Sequence, residues 1–581
     1  MGIKQLTSYF ELHHASLFTE ILDLRGSKVV VDGDALLYCL LNSVSSRYGG
    51  EYNEMSRVFE HFFKELHLIN VMPLVVLDGC INVSLKTCTT CERNKQRIKA
   101  LGNINQSNKS HKNLPIPLFS KQVFIEVMQE MCIHFVVAPN EADMLIAVFA
   151  NYLNCPVVSS DSDLYIVDVA QGVISMSNFM NVSNLNNVVS YNLQNLCQLL
   201  HLAKEKMPFL AVILGNDYSI NSYLTLFQIK SGISDQQGNL IKVTPRLQKV
   251  AEYLNSISSR DDIIRSLVQD VGEMTADIKE HLIMILDNYD LSYYKLQASS
   301  LLPILLKQNS NPECQLKSYN SMGDYLKVMC SHGKVHSCVL NIYFDHVQFY
   351  HIQSENVSAK AATCISRDLV DIIYHLCSIT DNVKEFQRAG LNYKEKLKVV
   401  DQTVNEETNT SDQKSYMCQL GKFYFNESEA ENTIMIISLR FWIIKANEYN
   451  CPVSIEHIKA LVITYLSLKV ENSHTWFNLN FKDFDVAVGH RFCEWQSVVF
   501  YLMIINCLLS FPLTSPKLSL IFCGKRAHSA YKFLISYGSI SESRFTSTRE
   551  GMAHSSPSCT TMAYYNYTAE YLAFRSEKLE G

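Results

Sequence analysis

Residues 138–167 read APNEADMLIAVFANYLNCPVVSSDSDLYIV and place two close pairs of acidic side chains around one helix and one strand. Glu141 and Asp143 open an apolar pattern with helical spacing. Asp161 and Asp163 follow the apolar run PVV, which is typical of a buried strand. Acidic pairs of this kind either solvate a surface or hold a hard metal cation. The choice between the two depends on whether acids from elsewhere in the chain join them.

The first 220 residues alternate short apolar runs with helical patterns, which predicts an α/β domain built on a mostly parallel sheet. Runs rich in β-branched residues predict strands that are buried on both faces. We expect strands at 28–31, 74–77 and 135–138, a short exposed strand at 172–179, helices at 35–44, 54–68, 123–131 and 193–204, and a helix or strand at 209–214.

Beyond residue 220 the alternation ends and the patterns are mainly helical, including one over 365–393. The segment 333–353 alternates well enough to predict a β-hairpin. We therefore divide the chain into an α/β domain over 1–220 with a basic segment at 80–121, a mostly helical region over 221–403, a polar linker at 404–414, a helical region over 415–538 and a Ser/Thr-rich tail over 539–581.

The composition limits the partners and the compartment. Of the 581 residues 47% are hydrophobic, which is enough for a large core. The net charge of −6 gives no overall attraction to nucleic acid, so such a partner needs a local basic patch. The 18 cysteines follow no disulfide-like spacing, no apolar run reaches the roughly 20 residues of a membrane span, and no Gly-rich phosphate loop is present. We therefore expect an intracellular protein without a membrane partner or a nucleotide cofactor.

Three further acids end apolar segments of the N-terminal region, namely Asp32, Asp78 and Asp217. Because the carboxyl ends of parallel strands lie at one edge of a sheet, these acids and the two pairs should converge there. Seven carboxylates in one place repel each other unless divalent cations neutralise them, and oxygen ligands favour Mg²⁺ or Mn²⁺ over Zn²⁺. Two such ions about 4 Å apart can activate a water molecule and stabilise the leaving oxygen of a phosphodiester. For any single acid, helix N-terminal charge or turn solvation is the alternative.

The two acidic pairs differ in how readily their members can share a site. Side chains two residues apart point about 200° apart on an ideal helix, so Glu141 and Asp143 converge only if Glu141 lies at the very start of the helix. In an extended segment the same spacing puts Asp161 and Asp163 on one side. We expect those two to be direct ligands, Asp143 to act through a water molecule, and Asn140 to cap the helix.

Six motifs resemble those of the flap endonuclease/XPG nucleases, in the same order and spacing: MGI, VVVDGDA, VVLDG, APNEAD, SSDSDLY and ILGNDY. Within that group the chain looks most like the Asteroid proteins, a divergent branch with a long helical C-terminal region. The resemblance covers residues 1–220 and implies a PIN-like, flap-endonuclease-like fold. It also implies that two Mg²⁺ ions are held by Asp32, Asp78, Glu141, Asp143, Asp161, Asp163 and Asp217.

The resemblance also implies roles for the N-terminus and the basic segment. In the family the second residue is a glycine that lets the N-terminus pack beside the active site, as Gly2 would here. Lys86 and Arg93 have the family's seven-residue separation, shifted by one from the DG motif, and would contact the scissile phosphate. Other basic residues would form a flexible arch around a single strand, with a solvated loop as the alternative: Lys95, Arg97, Lys99, Lys109 and Lys112.

Two features depart from the family pattern. Family members that grip duplex DNA follow the last aspartate with a Gly-rich helix–hairpin–helix. Here Asp217 is followed by YSINSYLTLFQIKSGISDQQGNL, which lacks that glycine pattern and favours substrates with more single-stranded character. Asp34 adds an acid where the nucleases usually have a small residue. It either caps the helix that follows or binds a water molecule of the metal site, and we favour the cap.

The implied function is a Mg²⁺-dependent, structure-selective DNA endonuclease that cuts at single-stranded/duplex junctions, overhangs or flaps. Its chemistry suggests DNA repair in the nucleus, with repair proteins bound through the helical C-terminal half. A non-catalytic adaptor that keeps the fold is one alternative, and the complete set of acids argues against it. A PIN-type RNase is another; the basic segment favours the flap-nuclease branch but leaves DNA against RNA open.

Overall fold

The computed structural model describes residues 2–104, 114–218, 228, 243–269, 275–307, 312, 314–400, 413–422, 432–469 and 484–537. Several predicted features lie outside these residues: Lys109, Lys112, most of the linker at 404–414 and the tail at 539–581. Most of the segment without the glycine pattern, after Tyr218, also lies outside them.

A seven-stranded sheet forms the centre of the N-terminal half. Its strands are β1 Phe18–Leu22, β2 Lys28–Asp32, β3 Met72–Leu77, β4 His134–Val137, β5 Val157–Ser159, β6 Val173–Ser175 and β7 Val188–Tyr191. Their spatial order is β1-β7-β6-β5-β2-β3-β4. Strands β4, β3, β2, β5 and β6 pair in parallel, whereas β7 pairs antiparallel with β6 and with β1. The predicted α/β class with a mostly parallel sheet is therefore confirmed.

Ten helices accompany this sheet in the part of residues 2–218 that is described. They are α1 Leu6–Leu12, α2 His14–Leu17, α3 Gly33–Leu41, α4 Tyr52–Leu68, α5 Val83–Leu101, α6 Ser120–Glu130, α7 Asp143–Leu153, α8 Met176–Phe179, α9 Leu193–Leu200 and α10 Met207–Leu214. The strand predicted at 172–179 is wrong in two respects, because β6 is largely buried and helix α8 follows it directly.

The sheet separates two hydrophobic cores. Successive side chains of a strand point to opposite faces. In β2, Val29 and Val31 accordingly belong to one core and Val30 to the other, and all three are fully buried. Both cores extend past residue 220, so the later part of the chain covers both faces of the sheet.

The later part of the chain is mainly helical, as predicted. Its described helices are α11 Val243–Asn255, α12 Arg260–Gln269, α13 Thr275–Asp287, α14 Lys295–Leu306, α15 Met322–Ser331, α16 Cys338–Leu340, α17 Arg367–Leu376, α18 Gln413–Leu420, α19 Thr433–Glu448, α20 Ile455–Lys469, α21 Val486–Leu508 and α22 Gly524–Tyr537. Helix α21 contains the longest apolar run and is a buried core helix. Among the described helices, none is long and apolar enough to cross a membrane.

A small sheet in this half corrects two predictions. Its strands, in the order β10-β9-β8, are β8 Val347–Phe349, β9 Val383–Ala389 and β10 Asn392–Lys398. The hairpin is formed by β9 and β10 and not by 333–353, where helix α16 and a π-helical turn precede β8. The buried residues Val339, Leu340 and Ile342 have helical spacing, which explains the difference. The helix predicted over 365–393 ends at Leu376. The residues of β9 that follow alternate between buried and less buried positions, as in a strand.

The basic segment contains the longest helix of the described N-terminal half. Residues 83–101 form α5, which is 19 residues long and begins at the cap Asn82, whose side chain accepts a hydrogen bond from the Leu85 amide at 3.2 Å. The arch predicted from Lys95 onward therefore begins within a helix, over residues 95–101. The apolar residues Leu85, Ile98 and Leu101 are too widely spaced to stand out in a polar sequence, but each is buried.

Candidate active site

The seven predicted acids lie around one edge of the central sheet. Asp32 ends β2 and Asp78 follows β3, so the two sit at neighbouring strand ends. Asp161 and Asp163 follow β5. Glu141 precedes α7, Asp143 is its first residue, and Asp217 follows α10. Each of these acids acts electrostatically on at least one other member of the set. The structure thus brings together residues up to 185 positions apart.

Burial and mutual repulsion raise the pKa of most of these carboxyls. Burial and the charge of Asp78 raise the pKa of Asp32 to about 7. The same two causes raise the pKa of Glu141 to about 7, although Lys86 opposes them. Burial, followed by the charge of Asp161, raises the pKa of Asp143 and of Asp163 well above the ordinary value. The edge therefore holds more negative charge than its neighbouring cations offset.

Two cations from α5 face the acids. The Lys86 ammonium donates a hydrogen bond to Glu141, and the Arg93 guanidinium donates one to Asp217 Oδ2 at 2.6 Å. Burial lowers the pKa of Lys86, but the surrounding carboxylates outweigh it and hold the pKa above its usual value. Residues seven apart lie on one face of a helix, two turns from each other. The predicted pair is thus presented to the acids on one helix face.

Gly2 lies against the second acidic pair. Its φ of +78° falls in the left-handed region, and a Cβ there would collide with Asp161 Oδ1 and Ser162 Oγ. The following amide, that of Ile3, donates to Ser162 Oγ at 2.7 Å, and the Lys4 amide donates to the Gly215 carbonyl at 2.8 Å. The placement expected for the N-terminus is therefore found.

Asp34 does not cap helix α3, so that prediction is wrong. Asp32 is the cap, with Oδ1 accepting from the Ala35 amide at 2.9 Å. Asp34 instead accepts from the Asp78 amide at 2.7 Å and from Lys121 Nζ at 2.9 Å and 3.0 Å. Lys121 Nζ also donates to the Asp78 carbonyl at 2.7 Å. Asp34 and Lys121 thus bind the amide and the carbonyl of Asp78, so the side chain of Asp34 reaches the end of the neighbouring strand and not its own helix.

The start of α7 also differs from expectation. Asn140 is not the cap; its Oδ1 accepts from Cys80 Sγ at 3.0 Å, while Asp78 Oδ1 accepts from the Ala142 amide at 2.8 Å. Because α7 begins at Asp143, Glu141 lies outside it, and the helical separation of 200° does not apply. Asp143 is 8% exposed. Its proposed action through a water molecule stays a prediction.

Two hydroxyl groups bind acids of the site and were missed by the sequence patterns. Ser159 Oγ donates to Asp32 Oδ2 at 2.6 Å. Tyr289 donates to Asp163 Oδ1 at 2.9 Å and accepts from Asn216 Nδ2 at 2.8 Å. Tyr289 follows α13, so the region after residue 220 contributes directly to the site. A Ser beside the SSDSD motif could have been suspected, but nothing in the sequence marks Tyr289.

The other basic residues of α5 lie on the outer part of the helix. Lys95 and Lys99 are exposed, and Lys95 Nζ pairs with Glu92 at 2.6 Å. Arg97 donates to Asn94 Oδ1 at 3.0 Å and to the Tyr38 hydroxyl at 3.3 Å, which links α5 to α3. Their contact with nucleic acid stays a prediction.

Within the described residues, no three His, Cys, Asp or Glu side chains are arranged so that they could hold a metal ion together. Two of the acids are engaged by protein cations, Glu141 by Lys86 and Asp217 by Arg93. The donor set nevertheless suits a hard cation in kind, because it consists of carboxylate oxygens with uncompensated charge.

Two domain families and several known proteins resemble parts of this chain. The XPG N-terminal domain description matches residues 1–100, and the Asteroid N-terminal domain description matches residues 471–544. Single-strand DNA endonuclease ASTE1 of Mus musculus is 25% identical, covering 91% of this chain and 86% of the relative. The Homo sapiens protein of that name is 24% identical, covering 93% and 87%. The chain is thus similar to Asteroid proteins over most of its length.

Shorter matches are found to a further relative and to solved structures. Protein asteroid of Drosophila melanogaster is 25% identical to this chain over 56% of it and 45% of the relative. The catalytic core of Rad2 in complex with a DNA substrate is 19% identical and covers 49% of this chain and all of its own, with a TM-score of 0.29. Human GEN1 in complex with Holliday junction DNA is 14% identical, covering 59% and 79%, with a TM-score of 0.29.

Proposed function

We propose that this protein is a Mg²⁺-dependent DNA endonuclease that hydrolyses phosphodiester bonds in DNA with single-stranded character, such as overhangs, flaps and junctions. The observation that carries the proposal is the convergence of seven acids at one sheet edge with two cations on one face of α5. The name of the mouse and human relatives, single-strand DNA endonuclease, supports the same chemistry on the same class of substrate.

The chemistry of the donors at the edge, which are carboxylate oxygens, suits hard divalent cations. The donors are carboxylates whose pKa is raised by burial and repulsion, and added positive charge would relieve that state. Mg²⁺ or Mn²⁺ would be held by Asp32, Asp78, Glu141, Asp143, Asp161, Asp163 and Asp217. When bound, the ions supply the charge that activates water and stabilises the leaving oxygen.

The protein's own groups bind the phosphate and orient the acids. In this proposal Lys86 and Arg93 bind the phosphate. A phosphate oxygen would compete with Glu141 and Asp217 as the acceptor of the hydrogen bonds that Lys86 and Arg93 donate. Hydrogen bonds of this charged kind offset the negative charge that develops on the phosphate in the transition state. Asp34 and Lys121 fix the direction of Asp78, and Tyr289 fixes that of Asp163.

A basic, partly aromatic surface on α5 and α3 supports a single strand as the ligand. Lys95 and Lys99 can bind the phosphate backbone, while Arg97 lies beside the ring of Tyr38, which is 41% exposed. Lys109 and Lys112 extend the same segment in sequence. We further propose a role in DNA repair in the nucleus, with repair proteins bound through the C-terminal half.

Purified protein with Mg²⁺ should be assayed on labelled single-stranded DNA, a 3′ overhang, a 5′ flap, intact duplex and RNA. Single strands and overhangs should be cut faster than duplex and pure 5′ flaps. Asp163→Ala should abolish cleavage while the protein stays folded. Full activity in that variant would contradict the proposed site, and a preference for RNA would favour a PIN-type RNase. No cleavage of any substrate would leave the adaptor as the better explanation.

A further inference from the structure

Helix α5 is held at both ends by residues outside the sheet domain. At its C-terminal end, the buried side chains of Ile98 and Leu101 belong to a core with Phe349, Phe386 and Tyr393, one from each strand of the small sheet. The hairpin end of that sheet also reaches the helix end, where Leu391 lies 4.0 Å from the position of a Cβ on Gly102. Packing against the C-terminal half of the chain therefore positions the last turns of α5.

The N-terminal end of α5 is tied to the same half by the packing of Ile81 and Val83 on that core and by the hydrogen bonds of one polar side chain, Asn341. Asn341 begins the π-helical turn before β8 and is 3% exposed. Its Oδ1 accepts from the Ile81 amide at 3.0 Å, and its Nδ2 donates to the Ile81 carbonyl at 2.7 Å and to Asp345 Oδ2 at 2.8 Å. Only this orientation of the amide satisfies both polar groups of Ile81. One side chain thus pairs with Ile81 as a neighbouring strand would.

Ile81 occupies the short connection between a metal-ligand candidate and the helix. Asp78 follows β3, and Asn82 caps α5. The amides between them are all paired: that of Gly79 donates to the Asn140 carbonyl at 2.6 Å and that of Cys80 to the Pro139 carbonyl at 3.0 Å. Of these contacts, the one at Ile81 alone comes from beyond residue 220.

We propose that Asn341 is a positioning residue of the nuclease site. It fixes the backbone of Ile81, and through it the direction in which α5 leaves the sheet edge, so that Lys86 and Arg93 face the acids. The consequence for cleavage rests on the proposed function, whereas the placement of α5 does not. A helix held by the protein itself needs no nucleic acid to bring its cations to the site, which suits a substrate without an extended duplex.

The length of the helix makes its first turn sensitive. Arg93 lies 10 residues beyond Val83, the first residue of α5, or about 15 Å along the helix, so a tilt of about 4° moves it by about 1 Å. Displacements of that size at a reacting centre can lower a rate on the order of a hundredfold. Losing the contact at Ile81 should therefore slow the chemical step more than it weakens substrate binding.

The chain contains a matched control for Asn341. Asn506 in α21 is fully buried, and it grips Leu513 in the same way: its Nδ2 donates to the Leu513 carbonyl at 2.9 Å and its Oδ1 accepts from the Leu513 amide at 3.0 Å. Asn341→Ala and Asn506→Ala in the full-length protein thus each remove a pair of hydrogen bonds to the amide and carbonyl of one residue, and Asn341→Ala also removes the bond to Asp345. Asp345→Ala is a milder third variant. Asp345 is exposed, and its substitution removes only one hydrogen-bond partner of Asn341.

The test compares these variants in two measurements. Hydrogen exchange without DNA should become faster over residues 83–93 in Asn341→Ala and not in Asn506→Ala, whatever the activity of the protein. Single-turnover cleavage of a labelled single strand should fall ten- to hundredfold in Asn341→Ala, with KM within about threefold, and a fewfold in Asp345→Ala. Unchanged exchange in α5, or an equal loss of cleavage in Asn341→Ala and Asn506→Ala, would overturn the proposal. If the wild type does not cleave, the proposed function fails and the exchange result still decides the positioning.

Discussion

Two regions of this protein bury acidic side chains in opposite ways. At the sheet edge seven acids meet Lys86 and Arg93, and the pKa of several of them is raised. In the C-terminal half, Glu355 and Arg388 are 1% and 0% exposed in their side chains and pair at 3.1 Å. The difference separates a structural use of charge from one that leaves charge for a ligand.

Most polar atoms of the structural pair have hydrogen-bond partners, although Arg388 Nε has none among the described residues. The Arg388 guanidinium also donates to four carbonyl oxygens, those of Val357, Gly390, Asn356 and Ala359, at 3.0–3.3 Å. Glu355 accepts in addition from the Ala362 amide. Buried charges are costly unless they are paired and hydrogen-bonded. The sheet edge keeps an excess of acids, which lowers stability unless binding of a cation or substrate compensates for it.

Removing one partner of the structural pair should therefore lower stability, whereas removing an excess acid from the sheet edge should raise it. Arg388→Met leaves Glu355 buried without its partner and should lower the free energy of unfolding by about 3–5 kcal/mol. Urea denaturation measures this change. A loss below about 1 kcal/mol would mean that the pair does not stabilise the fold and would remove the contrast. Cleavage per folded molecule should stay unchanged.

Much of the sheet edge could be predicted from the sequence, and the reason is local. The valine runs that end at Asp32 and near Asp78 identify their strands, and parallel strands bring their ends together whatever the loops do. The partners Lys121, Tyr289 and Asn341 lie 87, 126 and 260 residues from the groups they bind, and no short pattern encodes such a pairing. Helix α5 was not predicted, because its few apolar side chains are buried by strands of the C-terminal half, which no local pattern reveals.

Removing a cation from the sheet edge sharpens the comparison from the other side. Lys86→Met should lower the cleavage rate on the order of a hundredfold, because it removes a charged donor to the phosphate. The change also leaves Glu141 without its ion pair, so the protein should become less stable and not more. Single-turnover cleavage and thermal unfolding measure the two effects. Lys95→Met, on an exposed lysine of the same helix, is the control for charge alone. Equal effects of the two changes would contradict the role of Lys86.

Glu51 is a third kind of buried acid and limits what a raised pKa means. It is 1% exposed, accepts from the Lys525 amide at 2.8 Å and from Cys523 Sγ at 2.9 Å, and joins α4 to the C-terminal half. Burial raises its pKa from an ordinary 4.5 to about 7. Of the described residues, the neighbouring Glu54 is the only acid among the main causes of this shift, and it is not one of the seven sheet-edge acids, so a raised pKa alone does not mark a catalytic edge.

This shift predicts a dependence of stability on pH. Between pH 4.5 and 7 the folded protein binds a proton at Glu51 that the unfolded chain does not, so this contribution is present at low pH and is lost as pH rises through 7. Glu51→Gln should remove that part of the dependence and raise stability at pH 8 by roughly 3 kcal/mol. Urea denaturation of both proteins from pH 5 to 8 measures it. Parallel curves for wild type and variant would contradict the raised pKa.

The central claim is that the excess acids at the sheet edge bind divalent cations, and thermal unfolding without DNA tests it most directly. At a concentration of Mg²⁺ 100 times its dissociation constant, binding to the folded protein adds about 2.7 kcal/mol of stability. We predict that Mg²⁺ and Mn²⁺ raise the Tm by a few degrees at constant ionic strength. The double variant Asp161→Asn/Asp163→Asn should start with a higher Tm, because repulsion is relieved, and should respond little to the ions. No rise in the wild type, or an equal rise in the variant, would contradict the account.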